Sequence, residues 1–188
     1  MIRIIYALIM AYRYYAKLSA LVKDNTRVLI TLTQIDSDYL RKKNVEVLAL
    51  DFDGVLAPHG ESIPEPEVHA WLLKISQDFG QERLVILTNK PAPARIAWFE
   101  QHYPKILFVK GARKKPYPDG LEKILELKHI PPHALALADD RLLTGMLATC
   151  IAKTQGFYVT KPYQNVRKRP VQECFFSLLR CLERRWLL

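Results

Sequence analysis

From residue 46 onward the chain alternates short, continuous apolar runs with longer segments of helical periodicity, and this alternation limits its possible folds more than any other feature. The apolar runs are 46–51, 83–88, 105–110, 134–138 and 157–160, and the intervening stretches 64–79, 92–102, 118–128 and 141–152 read as helices. Pro64, Pro91 and Pro118 stand near three of the expected helix starts, where a missing N–H costs little. Runs that are apolar throughout suit strands buried on both faces. The pattern therefore predicts an α/β chain, with a central parallel sheet covered by helices in a three-layer, Rossmann-like arrangement. Ligands of such sheets bind outside the carboxyl ends of the strands. With 188 residues, 49% of them apolar, the chain can build one such core and is too short for two ordinary domains.

The polar residues collect at those strand ends. The stretch "VLALDFDGVLAPHG", residues 47–60, runs from an apolar strand into Asp51 and Asp53, one residue apart, and then Gly54. The second run ends at Thr88 and Asn89, and the third is followed by "GARKKPYP" with Lys114 and Lys115. The fourth ends in "ALADDRLLTG", with Asp139 and Asp140. A parallel sheet brings all of these to one edge. Carboxylates suit a hard cation such as Mg²⁺, which prefers a few such oxygens plus waters and substrate phosphate. A hydroxyl and an amide suit phosphate oxygens, and an ammonium neutralises charge; phosphoryl transfer asks mainly for that positioning and electrostatic stabilisation. A carboxylate can itself be the nucleophile.

Each feature also has a plainer reading. Asp53-Gly54 could be a turn, Thr88-Asn89 a helix cap, and Arg113, Lys114 and Lys115 a solvated loop. Together they fit one reaction.

In this order and spacing the motifs resemble the haloacid dehalogenase (HAD) superfamily of phosphatases. "DFDGV" is similar to its first motif, Thr88 to its second, Lys115 to its third and the acids at 139 and 140 to its fourth. Within the superfamily the chain looks most like the YqeG-type, phosphatidylglycerophosphatase-like branch, through "TQIDSDYLRKKNVEVLALDFD", "EVHAWLLKI", "ILTNK" and the Lys-Pro of "KKPYP".

The resemblance implies a HAD-like fold and a Mg²⁺-dependent phosphomonoesterase working through an aspartyl-phosphate. Asp51 would be the nucleophile, and Asp53 the acid that protonates the leaving oxygen and then activates water. Thr88 and Asn89 would contact the phosphoryl group, and Lys115 would bridge it to the nucleophile. Asp51, the backbone carbonyl of Asp53 and Asp140 would surround the metal. The branch's fourth motif has glycine where this chain has Asp139, and an acid where it has Gly145. Either Asp139 compensates, or metal binding is weakened. The cation and Lys115 would let the two motif-one acids tolerate each other; without metal, their repulsion should raise at least one pKa.

The flanks carry the charge. Net charge is +9, yet residues 46–150 carry 12 Lys/Arg against 14 acids, residues 1–45 carry 8 against 3, and residues 151–188 carry 8 against 2. Basic ends on a nearly neutral body suggest an anionic surface as partner. Residues 1–23 contain no acid, and on a helix Ile4, Leu8, Ala11, Tyr15, Leu18 and Val22 form one stripe, with Arg3, Arg13 and Lys17 elsewhere. That pattern fits a helix lying in a membrane interface, or one packed on the body. Near the C-terminus Phe175, Leu178, Leu179, Leu182 and Trp186 share a face opposite Arg180 and Arg184, and this stripe is expected to dock inward. Cys150, Cys174 and Cys181 have no metal-site spacing and read as reduced thiols.

The expected organisation is an N-terminal interfacial segment and lead-in (1–45), a catalytic domain (46–165) and a basic C-terminal helix on the body (166–188). No sizeable cap fits between the motifs, so the site should be open. The implied substrate is a phosphorylated lipid, foremost phosphatidylglycerophosphate, or a small molecule, met by a cytoplasmic enzyme peripheral on the inner face of a membrane (mitochondrial in a eukaryote). Three alternatives stay open. The chain could be a capless phosphatase for a soluble sugar phosphate, similar to the 3-deoxy-octulosonate-8-phosphate group. It could act on a nucleic-acid end, the less favoured partner, using the basic flanks differently and binding with a steep dependence on salt. It could also be a degenerate HAD-like binding protein.

Overall fold

A computed structural model describes residues 3–89 and 91–188. Among them, β1 (Val28–Leu29), β2 (Val47–Leu50), β3 (Leu84–Leu87), β4 (Leu107–Val109), β5 (Leu135–Asp139) and β6 (Gln155–Val159) form one sheet. Its order is β1-β6-β5-β2-β3-β4, and every pairing is parallel. β2 and β5 lie at the centre, and every residue of both is buried. From β2 the chain winds outward through β3 to β4, and from β5 it winds the other way through β6. The crevice between the ends of β2 and β5 is thus a topological switch point, where α/β sheets bind ligands.

Strand alternation divides the core. Leu48, Leu50, Leu84 and Ile86 pack on one face with Val68, Trp71 and Leu72 of α4 (Pro66–Ile75) and Phe99 of α5 (Pro93–His102). Val47, Ala49, Val85 and Leu87 pack on the other with Leu121 and Ile124 of α6 (Asp119–Lys128) and Ala148 of α7 (Leu147–Ala152). Burying each such side chain contributes about 1.5–3 kcal/mol, so the alternation itself fixes the register. The result is the expected α/β architecture, one all-parallel sheet flanked by helices.

Differences from expectation are local. The segment predicted at 64–79 is α-helical only to Ile75, and then widens into a π-type turn ending at Gly80. The segment at 141–152 begins with a π-type turn, Leu142–Met146. β1, whose two residues are too few to carry a period in the sequence, pairs with β6 as an edge strand. A short helix, α3 (Ser37–Lys42), follows it, capped by the Asp36 side chain accepting from the Tyr39 N–H at 2.7 Å.

The N-terminal stripe is broken. α1 (Arg3–Arg13) and α2 (Tyr15–Lys23) meet at Tyr14, whose ψ of 14° lies outside the helix. Ala11, Leu18 and Leu21 are buried against Leu142, Met146 and Tyr158, whereas Ile4, Leu8 and Tyr15 are exposed. Packing on the body therefore accounts for α2 and for one side of α1, whose Tyr6 ring stacks on Tyr117 at 4.0 Å and whose Ala11 is buried.

The C-terminal helix corrects the sequence reading. α8 (Pro170–Leu187) does dock, but with its charged face inward. Glu173, Arg180 and Glu183 are buried, while Phe175, Leu178, Leu182 and Trp186 face outward. Pairing with ionic groups of the β5 end overrides the hydrophobic stripe, as the site geometry explains. No described helix is long and apolar enough to cross a membrane.

Candidate active site

Four strand ends and the loops after them build one polar cluster. β2 delivers Asp51, whose N–H donates to the Ala138 carbonyl at 3.0 Å and so ties it to the neighbouring strand. The chain then turns sharply: the Gly54 N–H donates to the Ala57 carbonyl at 2.7 Å. Gly54 has φ +87°, and a Cβ there would lie 2.7 Å from Asp140 Oδ2, so both backbone conformation and space require glycine. β5 ends at Asp139, with Asp140 next.

Lys115, buried in the loop after β4, bridges the two strands. Its Nζ lies 2.9 Å from Asp51 Oδ1 and 2.5 Å from Asp139 Oδ2. Its position is set from two sides, since its N–H donates to Asn89 Oδ1 at 3.1 Å and its carbonyl accepts from Arg3 Nε at 2.7 Å. Asp139 Oδ1 also accepts the Arg141 N–H at 2.9 Å.

Asp51, Asp139 and Asp140 each offer an oxygen, all within 4.8 Å of one another. Hard carboxylate oxygens this close, largely out of water, form a donor set that could hold a metal ion. Among the described residues, Lys115 and Arg180 are the cations that pair directly with these carboxylates.

The protonation pattern follows. Burial pushes Asp51 up to about 8; Lys115 opposes the rise and Asp139 adds to it. Burial and the charge of Asp139 push Asp140 up to about 7 against the pull of Arg180. Burial works to lower Lys115, but Asp139 and Asp51 hold it above its usual value. Repulsion between Asp51 and Asp53, the expected cause of such a rise, contributes least here: burial is the main cause at Asp51, followed among the raising charges by Asp139.

Asp53 behaves in the opposite way. Arg95 clamps its carboxylate with two hydrogen bonds, Nη2 to Oδ1 at 2.5 Å and Nη1 to Oδ2 at 3.1 Å. The Gly60 N–H adds a third at 3.2 Å. Burial works upward, but these contacts outweigh it and hold Asp53 below the usual carboxylate range. Arg95 is itself fixed by the Glu61 carbonyl, which accepts its Nε at 2.9 Å, and by the face of Phe52, 3.9 Å from its guanidinium carbon. The sequence reading missed Arg95. The available signal was a cation one turn before Phe99, on the inward stripe of α5.

α8 closes the other side. Arg180 Nη1 donates to Asp140 Oδ2 at 2.7 Å. Glu183 accepts from the Arg141 guanidinium, with Nε at 3.0 Å, and from the Leu142 N–H at 2.9 Å. His59 stacks on Phe176 with ring centres 4.2 Å apart and lies 3.4 Å from Glu173 Oε2. Burial holds His59 below its usual value, against the charges of Asp53 and Glu173. These interactions explain the inverted docking of α8, and none was visible as spacing.

A cavity of ≈ 310 Å³ opens over the cluster, within the range of small-molecule sites. Asp51, Asp53, Lys115 and Asp140 line it, with Arg3, Lys114, Arg141 and Arg169 supplying positive charge around them. Asn89 lines it too, whereas Thr88 is buried at the end of β3 and does not. Asp139 touches the cluster from below the lining. The donor set and the basic wall can hold an anion beside a cation.

No protein-family model, curated protein or solved structure significantly matches the chain.

Proposed function

We propose that the chain is a Mg²⁺-dependent phosphomonoesterase of the haloacid dehalogenase type, with a HAD-like fold and Asp51 as nucleophile. The observation that carries this reading is the Lys115 bridge: one buried ammonium on Asp51 and Asp139, at the switch point of the sheet, beneath a basic-walled cavity. Asp51 would form a bond to phosphorus while the ester oxygen leaves with a proton from Asp53. Water would then attack the same phosphorus, giving its proton to Asp53, and inorganic phosphate would depart with Asp51 restored. Lys115, Asn89 and the cavity's arginines would hold the phosphoryl oxygens, with Thr88 supporting them from β3.

Asp51 and Asp140, with Asp139 beside them, would hold Mg²⁺. Bound there, the ion supplies positive charge to the phosphoryl oxygens and keeps Asp51 ionised. Arg95 favours the ionised Asp53 needed to activate water and opposes the protonated form needed for the leaving group, so it should tune the pH profile.

Phosphatidylglycerophosphate at an anionic membrane surface is the substrate we favour, supported by the motif resemblance, the basic cavity wall and the exposed apolar residues beside it. The test is Mg²⁺-dependent phosphate release from that lipid in mixed micelles, beside a panel of soluble esters, with Asp51→Asn as control. Release from the lipid, lost in the variant and on chelation, is expected. Release from soluble esters alone would discard the lipid and keep the chemistry. A second reading, a binding protein without turnover, is favoured by one observation: Arg180 already pairs with Asp140. Absence of release from every ester would select it.

A further inference from the structure

The outward face of α8 has no counterpart in the chemistry above. Phe175, Leu178, Leu182 and Trp186 recur every three or four residues and are 55, 58, 54 and 43% exposed. A second stripe runs along α1 and the start of α2. Ile5, Leu8, Tyr12 and Tyr15 follow the same spacing, at 48, 58, 82 and 41% exposure. The two stripes meet where Tyr15 and Trp186 pack edge to face, 5.1 Å between ring centres. At their other ends both helices reach the cavity, which Arg3 lines from α1 and Gln172 and Phe176 line from α8.

The charge on these helices is one-sided. α1 and α2 contain no acid, and the two acids of α8, Glu173 and Glu183, are both turned inward. What remains outside is cationic: Arg13 and Lys17 on the first pair, Arg185 on α8 and Arg167 and Arg169 just before it. Three buried ionic residues hold α8 in this orientation, so its outward apolar face is an enforced arrangement.

We propose that the outer faces of α1 and α8 form one platform that lies on an anionic lipid bilayer and presents the cavity mouth to its headgroups. Apolar and aromatic side chains flanked by arginine and lysine, with no exposed side-chain carboxylate on these helices, are what such an interface requires. A second copy of this chain would set like cations against each other. A bilayer supplies both complements, acyl chains for the stripes and anionic headgroups for the cations. In this arrangement the helices would lie along the surface; no described helix is long and apolar enough to cross. This inference rests on the phosphatase reading only for what the cavity would take from the bilayer.

The test uses the full chain, cosedimented with vesicles of phosphatidylglycerol and phosphatidylcholine and with vesicles of phosphatidylcholine alone. Turnover of p-nitrophenyl phosphate is followed in parallel. The wild type is expected to bind the anionic vesicles, more weakly in high salt, and not the neutral ones. Leu178→Gln/Leu182→Gln is expected to lower that binding by about tenfold or more while leaving soluble-ester turnover and the melting temperature unchanged. Binding that the double variant leaves intact, or no binding at all, would overturn the platform. So would a dimer in sedimentation velocity that the double variant dissolves, which would assign the face to a second copy. Variant-sensitive vesicle binding without turnover of any ester would support the platform and reject the phosphatase reading, so the two fail separately.

Discussion

The carboxylate of Asp139 fills the space that a side chain at Gly145 would need: a Cβ on Gly145 would lie 2.1 Å from Asp139 Cγ and 2.2 Å from its Oδ2. Positions 139 and 145 therefore compete for one small volume, and there Lys115 binds the Asp139 carboxylate.

Gly145→Ala is expected to cost about 1–3 kcal/mol, the usual penalty for overpacking a filled site. Gly145→Asp should be worse alone and largely rescued by Asp139→Gly. A double-mutant cycle by urea denaturation should show a favourable coupling of about 1 kcal/mol or more. Additive effects would mean that the two positions do not exchange roles.

In the metal-free protein the stability contributed by Asp51 and Asp140 should fall as pH rises from about 4 to about 8. Asp51 and Asp140 have folded values, about 8 and about 7, above those of an unfolded aspartate. Their protonated forms are the ones the fold favours, so this contribution is full below the unfolded value and lost as pH passes through the folded ones. Asp140→Asn should flatten the slope. The gain in melting temperature from added Mg²⁺ should grow over the same range, and a gain independent of pH would count against these carboxylates as its site.

Arg180→Met removes one partner of a buried ion pair and should destabilise the metal-free protein by about 3–5 kcal/mol. Because Arg180 also neutralises Asp140, the variant should bind Mg²⁺ more tightly by isothermal titration. Unchanged or weaker Mg²⁺ binding would show that Arg180 does not compete with the ion.

Arg95→Gln should raise the Asp53 pKa by removing its strongest partner. If Asp53 is the leaving-group acid, the alkaline limb of the pH–rate profile moves to higher pH even as kcat falls. A lower rate with an unmoved limb would make Arg95 structural only.

Much of this was legible because it rests on period and order. Continuous apolar runs showed the buried strands, and acids or amides following those runs marked the edge where Asp51, Asn89, Lys115 and Asp140 gather. What escaped depends on partners distant in the chain. α8 has an amphipathic pattern that predicts inward leucines, yet Asp140 and Arg141 lie forty residues upstream and draw Arg180 and Glu183 inside instead. Arg95 escaped for the same reason, since its partner Asp53 sits on another element. The break at Tyr14 has no proline or glycine to announce it, and β1 is too short to show alternation.

In the reaction proposed above, Asp51 would carry the phosphoryl group. The most direct test is to mix the protein with Mg²⁺ and a hydrolysed phosphate ester, quench with acid, reduce with borohydride and sequence the peptides by mass spectrometry. An acyl-phosphate at Asp51 would be reduced to homoserine at that position, and this is the predicted result. Phosphate release with Asp51 recovered unchanged, under conditions that trap a known aspartyl-phosphate, would contradict the account.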